Sequence, residues 1–405
     1  MREVAIVGAG MTRFAKHLDR SMKDLAREAV EGALKSAKVD KSALEAVAVG
    51  NAMAGLITGQ ECIRGQVVLR EMGIGGIPVI NTENACASAA TAVHLAWLYV
   101  ASGMYDVVMA VGMEKLFHED KKKSFAAIGS AIDVELMQQT LAKMKEATKD
   151  SGEGTGAGQS RSMFMDFYAE FAREHMRKYG TKKEHFAKVA AKNHTHGSLN
   201  PRAQFQTPRT IEEVLASPVI AEPLTRMMCS PIGDGAAAVI LTSADMAKKF
   251  TTKPVYIKAS VLGSGKDRNP GEPEVTERVA RQAYEVAGIG PEDVDVAEVH
   301  DASAPAELII YEELGFCKPG ESACLIDEGA TALGGRLPVN PSGGLLAKGH
   351  PVGATGVAQI AEIFWQLRGE AGKRQVEGAK VGLTENGGGM VRGEAAALAV
   401  HILTV

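Results

Sequence analysis

The sequence predicts an α/β protein built from two similar halves, and three observations carry that prediction. Strand-like apolar runs alternate with helical stretches between Val4 and Val111, and the alternation resumes between Val255 and Leu383. Each half also holds one helix rich in Ala and Gly, Ala85 to Ser102 and Gly353 to Leu367; helices apolar on most faces belong in the middle of a protein. From about His118 to Ala221 the alternation stops, which reads as an inserted segment. A chain of 405 residues exceeds the usual size of one core, so two or three packed units are expected.

In order along the chain, V-A-I-V-G-A-G from Val4 reads as a strand closed by a Gly turn. Arg13 stands where a dinucleotide fingerprint has its third glycine, and no acidic residue ends a clear second strand, so a structural turn is expected there. Ser21 to Lys38 shows helical periodicity with a charged outer face, and Ala46 to Val49 is a strand. Pro78 to Asn81, Ala85 to Ser102 and Val107 to Val111 form a βαβ unit ending at Gly112. The insertion carries charged helical stretches, a Gly-rich piece (Ser151 to Gly158) and a turn-rich segment (Gly197 to Thr210). Its Arg161, Arg173, Arg177, Lys178, Lys182, Lys183, Lys188 and Lys192 outnumber the nearby acids. Singly such residues are solvated helix faces; together they suit the phosphates of a small anionic cofactor. Ala236 to Leu241 closes the first half, and Val255 to Val261, Val294 to Val299 and Lys380 to Leu383 are the strands of the second.

Composition narrows the function classes. With 45 Lys and Arg against 49 Asp and Glu, the net charge of −4 provides no global basic field, which argues against a nucleic-acid protein. A hydrophobic share of 45% and a charged share of 23% exclude disorder and collagen. The cysteines, Cys62, Cys86, Cys229, Cys317 and Cys324, are odd in number and unpaired in spacing, so reduced thiols in a cytoplasm are expected, with no zinc or other metal site in the chain. The N-terminus lacks the pattern of a secretory signal, and the longest apolar stretch, Ala85 to Val100, is short for a membrane span.

Four positions are candidates for chemistry. Cys86, in N-T-E-N-A-C-A-S-A-A, stands between a strand and a buried helix, where free amides and the helix dipole are expected to lower its pKa. His350 lies in the long Gly-rich turn N-P-S-G-G-L-L-A-K-G-H-P-V-G-A-T-G, just before a helix, where it can serve as a base or donate to an oxyanion. His300, in A-E-V-H-D-A-S-A-P-A-E-L, ends a strand, with Asp301 expected to orient it or cap the next helix. The segment T-E-N-G-G-G-M, Thr384 to Met390, reads as a turn that offers glycine amides and Glu385 as an acid or base.

Together N-A-C-A-S with its Ala-rich helix, C-S-P-I-G-D-G-A-A-A from Cys229, and the Asn340 to Gly356 turn resemble the thiolases over nearly the whole chain. H-D-A-S at His300 and N-H-T-H-G-S-L-N-P-R-A at Asn193 resemble the sterol-carrier-protein-type and archaeal branch. The resemblance implies a thiolase fold, duplicated and five-layered (αβαβα). A first half at 1–117, closed by 222–250, would carry an inserted loop domain over coenzyme A at 118–221, and the second half would be 251–405. It implies a cytoplasmic homodimer and a possible small zinc-binding OB-fold partner, with no nucleic acid or membrane. It further implies that Cys86 is acylated by a 3-oxoacyl-CoA, that His350 activates Cys86, and that His300 and His350 share one oxyanion site. The amides of Cys86 and of a glycine among Gly387, Gly388 and Gly389 would form the other. Arg161, Arg173, Lys178, Ser342 and Gly343 would contact coenzyme A. The second cysteine of the family's two-cysteine members is absent: Glu385 stands near one of its positions and Ala302 at the other, so Glu385 is expected to act as acid and base. A degradative role is expected, with a bulky or aromatic acyl group as in the benzoylsuccinyl-CoA thiolases. The rival expectations are a thiolase-like aldolase of a β-hydroxyacyl-CoA and a non-catalytic scaffold subunit.

Overall fold

The computed structural model describes residues 1–138, 162–269 and 271–405. The strands that order the fold are β1 (Val4–Met11), β2 (Ala46–Gly50), β3 (Val79–Thr82), β4 (Val107–Glu114), β5 (Gly235–Ser243), β6 (Val255–Ser264), β7 (Val296–Glu298), β8 (Val381–Val391) and β9 (Glu394–Thr404). They form one nine-stranded sheet in the order β3-β2-β4-β5-β1-β6-β9-β8-β7. The duplication is visible in the pairing. In the first half β2 lies parallel to β4, which is antiparallel to β5, which is antiparallel to β1. In the second, β7 lies parallel to β8, antiparallel to β9, antiparallel to β6. The halves meet where β1 and β6 pair antiparallel, Val4 opposite Ile257. The counterpart of β3 shrinks to a single bridge, Ala297 with Val339.

Eight helices matter for the site: α1 (Met22–Ala37), α2 (Ser88–Ala101), α3 (Met163–Tyr179), α4 (Lys183–Ser198), α5 (Val275–Ala287), α6 (Ala304–Glu313), α7 (Gly344–Lys348) and α8 (Thr355–Arg368). The capping box of Ser21 with Asp24 sets the start of α1. Ala26, Ala29 and Ala33 of α1 pack on Ala5 and Val7 of β1, while Val4 and Ile6 point the other way, toward α2 and α8. Strands buried on both faces read as continuous apolar runs, which is why they stand out in the sequence. Val261, Val400 and Ile402 of the second half face α5 and α6, so the layers are α1, first strands, α2 with α8, second strands, α5 with α6. The central helices touch through backbone: a Cβ on Gly356 would lie 2.4 Å from the Ala90 nitrogen. From the inserted segment, α3 and α4 join the core of the second half through Ala169, Ala172, Phe186 and Val189.

Two local expectations are corrected. The V-A-I-V-G-A-G stretch does not turn; β1 runs on to Met11, and Gly8 is there because α1 lies so close that a Cβ would sit 2.5 Å from the Ala37 nitrogen. Likewise Thr384 to Met390 is strand, not turn. Its residues pair with β9 as far as Val391, so Glu385 is buried within a sheet instead of solvated.

Candidate active site

Cys86 follows Ala85, whose φ of 47° is left-handed and costs an L-residue about 1 kcal/mol. Local bonds hold that conformation: Asn84 N–H donates to Ser88 Oγ (2.9 Å), Ser88 Oγ donates to Ala85 O (2.6 Å), and Ala87 N–H donates to Asn84 O (2.9 Å). Strand β8 presses on this turn from the other half. A Cβ at Gly388 would lie 2.1 Å from Asn84 O, so only glycine admits the approach. The amides of Gly389 and of Cys86 itself act on the thiol. Among the three glycines proposed for the oxyanion hole, Gly389 is the one whose amide favours the charged form of the thiol.

The thiol is not held low, contrary to the expectation from its place at a helix start. Burial pushes Cys86 up to about 12, the Glu114 and Glu83 carboxylates adding to the rise and the two amides opposing it. Desolvation outweighs the helix here.

His350 Nδ1 is 2.8 Å from Thr355 Oγ1, which donates its own proton to Pro351 O at 3.0 Å. Both bonds hold together when Nδ1 carries the proton, so Nε2 of His350 keeps a lone pair. Asn386 Nδ2 donates to His300 Nδ1 at 2.9 Å, which puts the His300 proton on Nε2. Burial lowers His300 to about 4 and, with the His300 and Lys348 charges, moves His350 well below the usual histidine range. The two rings meet edge to face with centroids 5.1 Å apart, and Cys86 Sγ and one nitrogen of each ring lie within 4.8 Å of one another. Glu385 accepts the His300 backbone N–H at Oε2 (2.8 Å), and burial raises its pKa to about 7 against the His300 and Gly387 amides.

The neighbours of these residues do other work. Asp301 neither orients His300 nor caps α6; it accepts from Leu345 N–H (2.6 Å) and Leu346 N–H (3.3 Å) and so caps α7 in the His350 turn. Ser342 is buried and bonds Glu298 through N–H (3.0 Å) and Oγ (2.7 Å), and Gly343 packs on the Gly197 backbone, so neither is free to contact a ligand. Arg173 turns to Glu170 and Glu222 O. Arg161 lies outside the described residues. Lys178, stacked on Tyr179, does line the cavity.

That cavity, of about 1360 Å³, has Cys86, His300, His350 and Glu385 in its wall. Phe117, Phe125, Phe164, Met165, Tyr168 and Ile310 make much of it apolar; Lys16, Lys121, Lys178 and Arg209 bring positive charge to a wall that also holds Glu174, Glu277 and Glu313, and Arg268 is paired with Glu274 and Glu394. Cys229 also lines it, but its thiol points to Thr225 O at 3.4 Å. Thr355 and Asn386, which set the two imidazole tautomers, lie in motifs singled out in the sequence without being assigned a role. Tyr168 gave no signal at all.

The chain matches the model of the thiolase N-terminal domain over residues 4–245 and that of the thiolase C-terminal domain over residues 266–401. It belongs to the thiolase family. As a thiolase it is an acyltransferase by family, and the αβαβα fold expected from the motifs is the one observed. It is 42% identical to an acetyl-CoA acetyltransferase of Methanothermobacter thermautotrophicus, with 100% of each chain covered. It is 39% identical to human sterol carrier protein 2, over 95% of this chain and 70% of that protein. Among solved structures, one described as an Ltp2-ChsH2(DUF35) aldolase superposes with a TM-score of 0.77 at 27% identity, covering 100% of this chain and 98% of that one. Human mitochondrial 3-ketoacyl-CoA thiolase in complex with CoA gives 0.72 at 20% identity, over 100% and 98%, a likeness of fold. Among the described residues no helix is long and apolar enough to cross a membrane.

Proposed function

We propose that this thiolase cleaves a 3-oxoacyl-CoA with coenzyme A through an acyl group on Cys86. The observation that carries the reading is the convergence of the Cys86 thiol and the His300 and His350 imidazoles within 4.8 Å in the wall of a large cavity. Thiol and imidazole are both neutral at rest, so the proton passes from Sγ to His350 Nε2 as the sulfur attacks the 3-oxo carbon. The oxygen charge that develops there is met by the Cys86 and Gly389 amides. The C2–C3 bond then breaks, and His300 Nε2–H stabilises the enolate oxygen of the leaving acetyl-CoA. Glu385, with a pKa near 7, is protonated in a large fraction of molecules at neutral pH and gives its proton to C2; it takes the thiol proton of the incoming coenzyme A when that sulfur attacks the acyl-enzyme. The positive charges lining the cavity, Lys178 and Arg209 among them, suit the coenzyme phosphates, and its aromatic wall suits a bulky acyl group in a degradative reaction.

Intact-protein mass spectrometry with short, long and aromatic acyl-CoAs tests the reading. An acyl mass on the Cys86 peptide, removed by coenzyme A and absent from Cys86→Ala, is expected. No adduct from any donor would overturn it.

A second reading rests on the superposed aldolase and on the missing second cysteine. There the cavity would hold a β-hydroxyacyl-CoA, a partner chain would complete the site, and the cleavage would survive Cys86→Ala.

A further inference from the structure

We propose that Cys86, His300 and His350 form a reversible site for a soft divalent cation of the Zn²⁺ type, which holds the enzyme inactive while it is bound. One thiol and two imidazoles are the donor set such a cation prefers over oxygen ligands, and three protein ligands with a fourth position open to a cavity is a common arrangement of tetrahedral zinc. The three donor atoms lie within 4.8 Å of one another. Bonds of about 2.3 Å to sulfur and about 2.0 Å to nitrogen place tetrahedral ligands roughly 3.3 to 3.6 Å apart, so side-chain shifts of about 1 Å close the site.

Groups behind the ligands point the same way. Thr355 holds the Nδ1 proton of His350 and so leaves Nε2 free to ligate. His300 as placed keeps its proton on Nε2, but Asn386 Oδ1 is buried with no hydrogen-bond partner. A half-turn of that amide gives Oδ1 to a proton on His300 Nδ1 and frees Nε2 for the metal. On binding, the Cys86 S–H bond breaks, a sulfur–metal bond forms and the proton leaves to solvent; no electron is transferred. A chelator reverses the step.

The binding claim stands on the donor set alone, whereas the loss of activity rests on the function proposed above. Purified protein is titrated with Co²⁺, whose thiolate complexes absorb in the near ultraviolet, and then with Zn²⁺. One equivalent of cobalt giving that band, bleached by zinc, is expected; Cys86→Ser should lose it, and His300→Ala, His350→Ala and Asn386→Ala should each bind cobalt at least tenfold more weakly. In the unmutated protein, one equivalent of Zn²⁺ should slow iodoacetamide labelling of Cys86 at least tenfold, with recovery on adding EDTA. An absent band, a band that persists in Cys86→Ser, or labelling unaffected by zinc overturns the site. Metal binding without acylation by any acyl-CoA would leave the site standing and sink the thiolase reading; acylation without metal binding would do the reverse.

Discussion

The two halves of the molecule make the same turn by opposite means. After β3 the chain reaches Cys86 through a short turn held by local bonds, those of Ser88, of Glu83 Oε1 accepting Ala85 N–H (2.6 Å) and of Asn84 Nδ2 donating to Thr91 Oγ1 (2.9 Å), with Ala85 forced to a positive φ of 47°. After the Val339 bridge it reaches His350 through a longer turn that contains α7 and is tied down by buried polar groups. Lys348 bonds Glu298 at 2.9 Å, Glu298 takes both donors of Ser342, Asp301 caps α7, and Asn193 and Asn340 bond Glu307. A thiolate-forming sulfur needs amides close by, and a tight backbone turn supplies them. An imidazole that must sit at one angle to a second imidazole needs side-chain struts. Strand β8 joins the two, with Gly388 against the first turn and Glu385 under His300.

The strongest way to sharpen this contrast is to disable the joining strand. Glu385→Gln should lower turnover by about 10² to 10⁴ and slow both the acylation of Cys86 and the release of its acyl group to coenzyme A, because Glu385 moves a proton in each. Its stability should carry a pH signature of known sign. Burial raises the native pKa of Glu385 to about 7 from 4.5, so the folded state binds the proton more tightly, and wild-type stability falls as pH rises through that interval and levels off above it. Gln does not titrate, so the Tm of the variant relative to wild type should climb between pH 5 and pH 8; a difference constant with pH would show that Glu385 is not held protonated.

Lys348→Met tests the His350 turn. It leaves the Glu298 carboxylate buried with Ser342 alone and should cost about 3–5 kcal/mol by denaturant unfolding, much of it regained when Glu298→Gln is added. Among the described residues the Cys86 turn has no buried ion pair of that kind to remove. Its own test is the thiol: with Cys86 pushed up to about 12 and His350 pushed below its ordinary range, no resting ion pair exists. The rate of iodoacetamide labelling should therefore rise steadily, close to tenfold per pH unit, from pH 7 to 9. A plateau across that range would mean a thiolate–imidazolium pair and a helix effect stronger than burial.

This difference also explains what was legible in the sequence. The alternation, the paired small-residue helices and the inserted segment could be read because buried strands and helices impose apolar runs. Cys86, His300 and His350 could be read because each stands in a Gly- or Ala-rich motif at an element boundary, and Glu385 because Gly387, Gly388 and Gly389 follow it within its strand. Burial itself could not be read. It reversed the expected direction for the thiol, turned the Glu385 segment from turn to strand, and took Ser342 and Gly343 out of the ligand's reach. Asp301 was misplaced for the same reason: its partners, Leu345 and Leu346, lie 44 and 45 residues away and come near only through the tertiary fold.

The smallest effects discriminate most finely, because both turns contain one non-glycine residue in the left-handed region. Ala85 has φ 47° and Asn340 has φ 56°. Ala85→Gly relieves about 1 kcal/mol of steric cost but adds about 0.5 to 1 kcal/mol of unfolded-chain entropy, so stability should change by less than about 1 kcal/mol in either direction. Asn340→Gly gains the same relief less fully, since Asn tolerates this region, and it deletes the Oδ1 that accepts Val299 N–H at 2.9 Å and the Nδ2 that donates to Glu307 at 2.6 Å. Each buried partner left alone costs about 1 to 3 kcal/mol, so this variant should lose several kcal/mol in the same unfolding assay. Equal losses at the two positions would mean that the Cys86 turn also depends on long-range side-chain struts, and the contrast between the halves would fall.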